Sequence, residues 1–484
     1  MPKILFTHSY FLGFDPKQFE QMQPYPPLGT LFAAAVMRDA GYQVSLFDPM
    51  FSSSPNEILP HLEKEKPVYL VIYDDGFNYL TKMCLTNMRE AAFEMTSMAK
   101  QYGCTVIINS SDSTDHFEKY LDKGADYIVT GEGEISLKEL ISKLDSNSQS
   151  IESTEGIIFR RNNQTIITPK RNVLHDLDTL PAPAWDLVNI DEYKNRWIQK
   201  WGYFSLNVST TRGCPFKCNW CAKPIYGNRY NVHSPARIVN ELVFMKEKYG
   251  VNHFWMTDDI FGLKPGWINS FSQLVQQAKA DIKFKIQSRV DLLLQEENIE
   301  ALSKAGCEIV WVGAESGSQK ILDAMDKGTT VEQIYEASRM LKKHNIKVAF
   351  FLQFGYPGET RDDIRKTIDM VMELMPDDIG VSVSYPLPGT KFYESVKGEL
   401  TTKANWSDSD ELALMFKNNF PPGFYKELQR YLHKRFRSRQ GLMALKSLLR
   451  HPSSITSESI VKLSKAPFHF AGSYLHKARM KLYE

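Results

Sequence analysis

Three of the six cysteines crowd into eight residues, Cys214-Pro215-Phe216-Lys217-Cys218-Asn219-Trp220-Cys221, with the spacing C-x3-C-x2-C. Thiolates are the ligands of iron–sulfur clusters, and three on one short loop can each hold one iron of a four-iron cubane. The fourth iron then has no protein ligand and is open to a small molecule. A structural zinc site would want four ligands. His233 is the nearest further candidate, and it does not complete a convincing set. Cys84, Cys104 and Cys307 lie apart, in a helical pattern, an apolar run and a turn after Ala305-Gly306. They read as small buried hydrophobes, whereas a secreted disulfide framework would spread its cysteines and add more.

The elements around this loop set where its chemistry would happen. From Ser205 the chain alternates strand and helix signals, with strands expected at Ser205–Ser209, His253–Met256, Lys283–Ser288, Ile309–Val312, Lys347–Phe354 and Ile379–Ser384. Six such units in about 190 residues suit a partial rather than an eightfold barrel. The cysteine loop follows the first of these strands, and functional groups of parallel α/β units gather at carboxyl ends. Asp258-Asp259, Arg289, Glu315, Gly355–Thr360 and Tyr385–Thr390 follow the later strands in turn. Each has a plainer reading. The aspartates could serve a helix N-terminus, Arg289 and Glu315 could form structural ion pairs, and Trp220 could shield the loop from water.

The first 140 residues show a separate alternation, with strands at Lys3–Tyr10, Tyr42–Phe47, Val68–Tyr73, Thr105–Asn109 and Tyr127–Thr130 and a long helix near Tyr79–Tyr102. Short apolar strands between helices imply a parallel sheet covered on both faces. The fold class is therefore α/β: an N-terminal Rossmann-like sheet, a partial (β/α)6 barrel and a helical C-terminal extension. The expected divisions are 1–150, a hairpin and Pro-rich linker at 151–200, the barrel at 201–396 and a basic helical region at 397–484. Pro27 and Gly29, Asp75, Ser110, and Gly131-Glu132-Gly133 should line the carboxyl edge of the first sheet, where glycines let a ligand come close to the backbone.

Net charge is +1 and charged residues make up 24%, so no global bias toward nucleic acid arises. No spanning apolar run appears and Met1–Phe6 lacks a signal-peptide layout, which makes the cytoplasm the default expectation. The tail concentrates Lys434, Arg435, Arg437, Arg439, Lys446 and Arg450 beside Leu442, Leu445, Leu448 and Leu449. Such a helix lies on an anionic membrane surface, grips an acidic substrate or partner, or packs on the barrel with a solvated face, and Pro467, Phe468, Phe470 and Tyr474 would suit either a substrate-cavity lid or a lipid-facing patch.

The cysteine spacing and the stretches that follow it in order resemble the radical S-adenosylmethionine (SAM) superfamily over residues 205–396. The whole chain resembles its cobalamin-binding class, which includes methyltransferases and the anaerobic magnesium-protoporphyrin ester cyclase. The resemblance implies an enzyme with a [4Fe–4S] cluster on Cys214, Cys218 and Cys221 that cleaves SAM reductively to a 5′-deoxyadenosyl radical. It implies SAM contacts for Trp220, Asp258, Asp259, Arg289 and Glu315, with Arg289 facing the SAM carboxylate, and cobalamin against Pro27, Gly29, Asp75, Ser110, Gly131, Glu132 and Gly133. Methyl transfer to an unactivated carbon of a small or lipid-like substrate is the implied reaction, with radical cyclisation or electron relay as alternatives, and a flavodoxin- or ferredoxin-type protein as the electron donor. The Asp-x-His-x-x-Gly signature of other cobalamin proteins is missing around His8, so a cobalt bound here would lack a protein histidine.

Overall fold

Arg and Glu side chains join two parallel sheets at their carboxyl edges, and the cysteine loop sits at that junction. The structure, a computed structural model, describes residues 2–83, 85–146, 148, 150–221, 225–400, 405–450 and 456–483. Cys84 therefore lies outside the described residues.

In the first sheet β1 (Lys3–Thr7), β2 (Gln43–Leu46), β3 (Tyr69–Tyr73), β4 (Thr105–Asn109) and β5 (Tyr127–Val129) run parallel in the order β2-β1-β3-β4-β5. All five residues of β3 are buried, as a strand covered on both faces requires. The order reverses between β1 and β3, and ligands of open α/β sheets bind outside the carboxyl ends at such a switch point. The hairpin β6 (Ile157–Arg161) and β7 (Gln164–Ile167) prolongs this sheet antiparallel beyond β5. Its turn places Asn162 and Asn163 at φ 49° and 64°, the left-handed conformation that asparagine tolerates. The single long helix expected at Tyr79–Tyr102 is instead two, Tyr79–Lys82 and Thr86–Gln101. A tertiary contact takes the amide of Thr86, which donates to Trp406 O at 2.8 Å.

After β8 (Ser205–Val208), a two-residue ribbon pairs β9 (Thr211–Arg212) with β10 (Asn231–Val232). The strands β11 (His253–Met256), β12 (Lys283–Ser288), β13 (Cys307–Glu315), β14 (Lys347–Phe354) and β15 (Asp378–Val383) follow. They join β8 in one six-stranded parallel sheet in chain order, a partial barrel. Side chains alternate along β12: Phe284, Ile286 and Ser288 are buried while Lys285 and Gln287 share the other face. By register that face also carries Trp255 and Asn207.

The tail folds as two long helices, Pro422–Arg450 and Ser457–Met480. Contacts of Gly441 with Ala466 and of Gly423 with Tyr483 show that they run antiparallel. The first helix packs on the barrel, where Arg437 Nη2 meets Asp378 Oδ1 at 2.7 Å.

Candidate functional site

The cysteine loop is rooted before its first thiol. Asp258, buried after β11, accepts from Thr210 N (2.7 Å), Thr210 Oγ1 (2.5 Å) and Thr211 N (2.8 Å). Burial pushes its carboxyl up to about 7 against the pull of these hydrogen bonds. Asp258 thus fixes the loop's base, and its oxygens are spent there. Arg212 comes next and is buried in the other half of the molecule. It pairs with Glu132 and Glu134, the latter at 2.8 Å, between the rings of Phe32, Phe77 and Tyr226. Gly213 has φ 80°, and a Cβ there would stand 2.2 Å from Arg229 O. Only glycine fits.

The three cysteines that follow are half-buried and all on this one loop. Asn219 ties its far side down: its amide donates to Met325 O (3.0 Å), its Nδ2 to Ala324 O (2.7 Å), and its Oδ1 accepts from Tyr356 Oη (3.0 Å). Tyr356 belongs to the Gly-Tyr-Pro-Gly-Glu-Thr stretch, which therefore props the loop. Among the described residues no three His, Cys, Asp or Glu converge to hold a single metal ion. Cubane ligands, each on a different iron, need no such convergence.

Cations surround the thiols. Arg289 Nη1 is 3.8 Å from Cys218 Sγ, its guanidinium lies 3.8 Å from the centre of the Phe216 ring, and Asp291 pairs with its Nε at 3.0 Å. Lys327 Nζ lies 2.8 Å from Glu315 Oε1 and 5.9 Å from the centre of the Trp220 ring. Burial works against the Lys327 charge, but Glu315 and then Cys218 outweigh it and hold its pKa above the usual lysine value. Glu315 itself has φ 57° at a register shift in β13. Such conformations are costly for a non-glycine residue and gather at functional sites. On the third side Lys82, from the first half, meets Asp259 at 2.6 Å. Burial opposes the Lys82 charge too, and Asp259 and Cys221 among others restore it.

At the edge of the first sheet the expected residues come together, several with their polar groups already engaged. Asp75 Oδ1 accepts from Gly29 N (2.9 Å) and Phe77 N (3.1 Å), and burial raises its pKa. A Cβ on Gly29 would press on Asp75 and Gly76 at 3.2 Å. Pro27 caps the helix Leu28–Asp39, and Ser110 forms a capping box with Ser113. Glu132 goes to Arg212 and also accepts from Leu174 N at 2.6 Å. Gly133 has no room for a side chain, whereas a Cβ added at Gly131, at φ 66°, would meet only Ile225 O, at 3.6 Å. Both ring nitrogens of His8 are engaged, with Asp48 at 3.0 Å and Tyr10 N at 3.2 Å.

A cleft separates the two edges, lined by Asp75, Asn78 and Tyr79 from one half and by Asn207, Trp255 and Thr257 from the other. Buried polar atoms without a partner among the described residues include Asn207 Oδ1 on the cleft wall, Trp220 Nε1 on the loop, Thr329 Oγ1, and Asn109 Oδ1 and Ser111 Oγ at and just beyond the carboxyl end of β4. Buried polar groups are otherwise almost always paired, so these atoms fit a site built to receive polar ligands. Sequence reasoning missed the roles of Arg212, Lys327 and Lys82. The signal for Arg212 was available, since it stands two residues before Cys214.

Residues 208–371 match the Radical SAM superfamily. Over 387 residues the chain is 27% identical to an uncharacterized methyltransferase, PH0819 of Pyrococcus horikoshii, covering 79% of this chain and 81% of that protein. Over 375 residues it is 26% identical to the anaerobic magnesium-protoporphyrin IX monomethyl ester cyclase of Synechocystis, covering 76% and 72%. In fold it is similar to the cobalamin-dependent S-adenosylmethionine radical enzyme OxsB with aqua-cobalamin bound, with a TM-score of 0.77 over 99% of this chain and 72% of that one. At 16% identity that likeness concerns the fold alone.

Proposed function

We propose, from the premise that this chain is an enzyme carrying a radical SAM domain, that it transfers a methyl group to an unactivated carbon with the help of a corrinoid. The carrying observation is the placement of the cysteine loop and the cleft at the junction of the two sheets, with Trp220 Nε1 on the loop and Asn207 Oδ1 on the cleft wall buried without a partner among the described residues. Cys214, Cys218 and Cys221 would hold the [4Fe–4S] cluster, Glu315, Arg289, Trp220 and Asp259 would face SAM, and Gly131, Asn109 and Ser111 would face the corrinoid. When bound, the cluster would supply the electron that splits the SAM sulfonium into methionine and a 5′-deoxyadenosyl fragment, and the corrinoid would supply a methyl group.

The chain's own residues have definite tasks in this reading. Arg289 and Lys327 set positive charge beside Cys218. Glu315, held in its strained conformation by Lys327, offers a fixed carboxylate to a cationic group. Asp258 and Arg212 hold the loop's base still. With both nitrogens of His8 engaged, the corrinoid would take no ligand from that side chain, and an external flavodoxin- or ferredoxin-type protein would bring the electron.

The test is anaerobic turnover of reconstituted protein with SAM, dithionite and hydroxocobalamin. 5′-Deoxyadenosine formed together with S-adenosylhomocysteine supports methyl transfer. 5′-Deoxyadenosine alone would favour radical cyclisation, and neither product would leave an electron relay.

A further inference from the structure

Exposed large apolar side chains are not spread evenly over this molecule. Of 21 among the described residues, 11 lie between Leu442 and Tyr483. On the second tail helix Val461, Phe468 and Leu475, with Leu482 just beyond its end, recur every seven residues, and Ile460 and Tyr474 widen the stripe. Phe468, Tyr474 and Leu482 are 68%, 63% and 82% exposed. The opposite side of the same helix, with Ala466 and Ser473, is the buried one, and Gly441 of the first helix closes on Ala466. The apolar stripe therefore points away from the protein.

The charge of this region is equally lopsided. Residues 422–484 hold thirteen Lys and Arg against Glu427, Glu458 and Glu484. On the helical wheel Lys465 flanks the stripe and Arg479 stands in line with Val461 at its far end, with Lys481 just beyond, so the apolar face has cationic neighbours. Apolar and aromatic side chains on one face with lysine and arginine beside them are the pattern of a helix lying in a membrane interface, where anionic lipids attract each basic residue. No helix among the described residues is long and apolar enough to cross a membrane. A second copy of the chain would bring the two sets of cationic neighbours together, a like-charge arrangement that disfavours pairing; an anionic bilayer neutralises them.

We propose that the two-helix tail docks the enzyme on the surface of anionic phospholipid bilayers, with Val461, Phe468, Leu475 and Leu482 entering the headgroup–acyl boundary. The full-length protein is mixed with vesicles of phosphatidylcholine alone or of equal parts phosphatidylcholine and phosphatidylglycerol, and the vesicles are sedimented. The bound fraction should be roughly tenfold higher on the anionic vesicles and should fall toward the neutral-vesicle level near about 1 M salt. Phe468→Glu with Leu475→Glu, both at exposed positions, should lose binding with an unchanged melting temperature. Equal partitioning to both vesicle types, or undiminished binding by the double variant, would overturn the proposal. So would sedimentation velocity showing a vesicle-free dimer that the double variant dissolves, since the stripe would then belong to a second copy.

Discussion

Arg289 Nη1 lies 3.8 Å from the sulfur of Cys218, so a guanidinium delivered by the third barrel strand stands against a thiol delivered by the first. This contact links the cysteine loop to the barrel wall. Cys218→Ala should bring 5′-deoxyadenosine formation to background while far-ultraviolet circular dichroism stays unchanged, because the side chain is only half-buried. Turnover that survives the substitution would end the cluster assignment.

Glu315 is the next point of attack. Replacing it by Gln keeps the shape and removes the charge that faces Lys327 and that, in the proposed function, would face a cationic group of SAM. A hydrogen bond to a charged group contributes about 1.5–3 kcal/mol, so SAM affinity should fall roughly 10- to 100-fold. Isothermal titration on the reconstituted protein measures it.

Arg212 holds Glu132 and Glu134 in a buried three-charge group. Arg212→Met strands two carboxylates, and breaking a buried pair costs about 3–5 kcal/mol. Denaturant unfolding should show that loss, and adding Glu132→Gln and Glu134→Gln to the same chain should recover most of it.

Gly213→Ala tests the loop's base. At φ 80° with Arg229 O only 2.2 Å from the added carbon, alanine requires the backbone to move. The cost should exceed about 1 kcal/mol, and bound iron after reconstitution should drop below half of the wild-type content.

Glu359 supplies a pH prediction. It is buried beneath the first tail helix, and one oxygen accepts from Gly355 N at 2.6 Å. Burial raises its pKa from 4.5 to about 8. Between those values the folded protein keeps a proton that the unfolded chain has released, so rising pH costs stability across that window. Glu359→Gln should melt higher than wild type, with the gap widening by roughly 1–3 °C from pH 5 to pH 8. A constant gap would contradict the assignment.

The barrel strands were legible because each is a short apolar run between helix signals, and β11, β12 and β14 lie where the sequence places them. The cysteine loop was legible because its three thiols are neighbours in sequence. What stayed hidden depends on distant partners. Asp258 looks like a ligand residue until Thr210 and Thr211, 48 and 47 residues earlier, are seen to occupy it. Glu132 looks like part of a cofactor cradle until Arg212, 80 residues later, claims it. Lys82 and Asp259 are 177 residues apart, a separation at which no periodicity leaves a trace. In the tail the sequence shows the aromatic and basic residues but not which way they face, since a heptad of apolar residues is more often a core seam.

The Arg212 group also bears on how the protein is made. Glu134 leaves the ribosome 78 residues ahead of its partner, which at about 5–20 residues per second is roughly 4–16 s of synthesis. During that interval the first sheet carries two acidic side chains whose native counter-charge does not yet exist. The native ion pairs of its rim form only when the arginine beside the first thiol arrives, so the amino-terminal half reaches its final charge balance after the cysteine-bearing segment has been made.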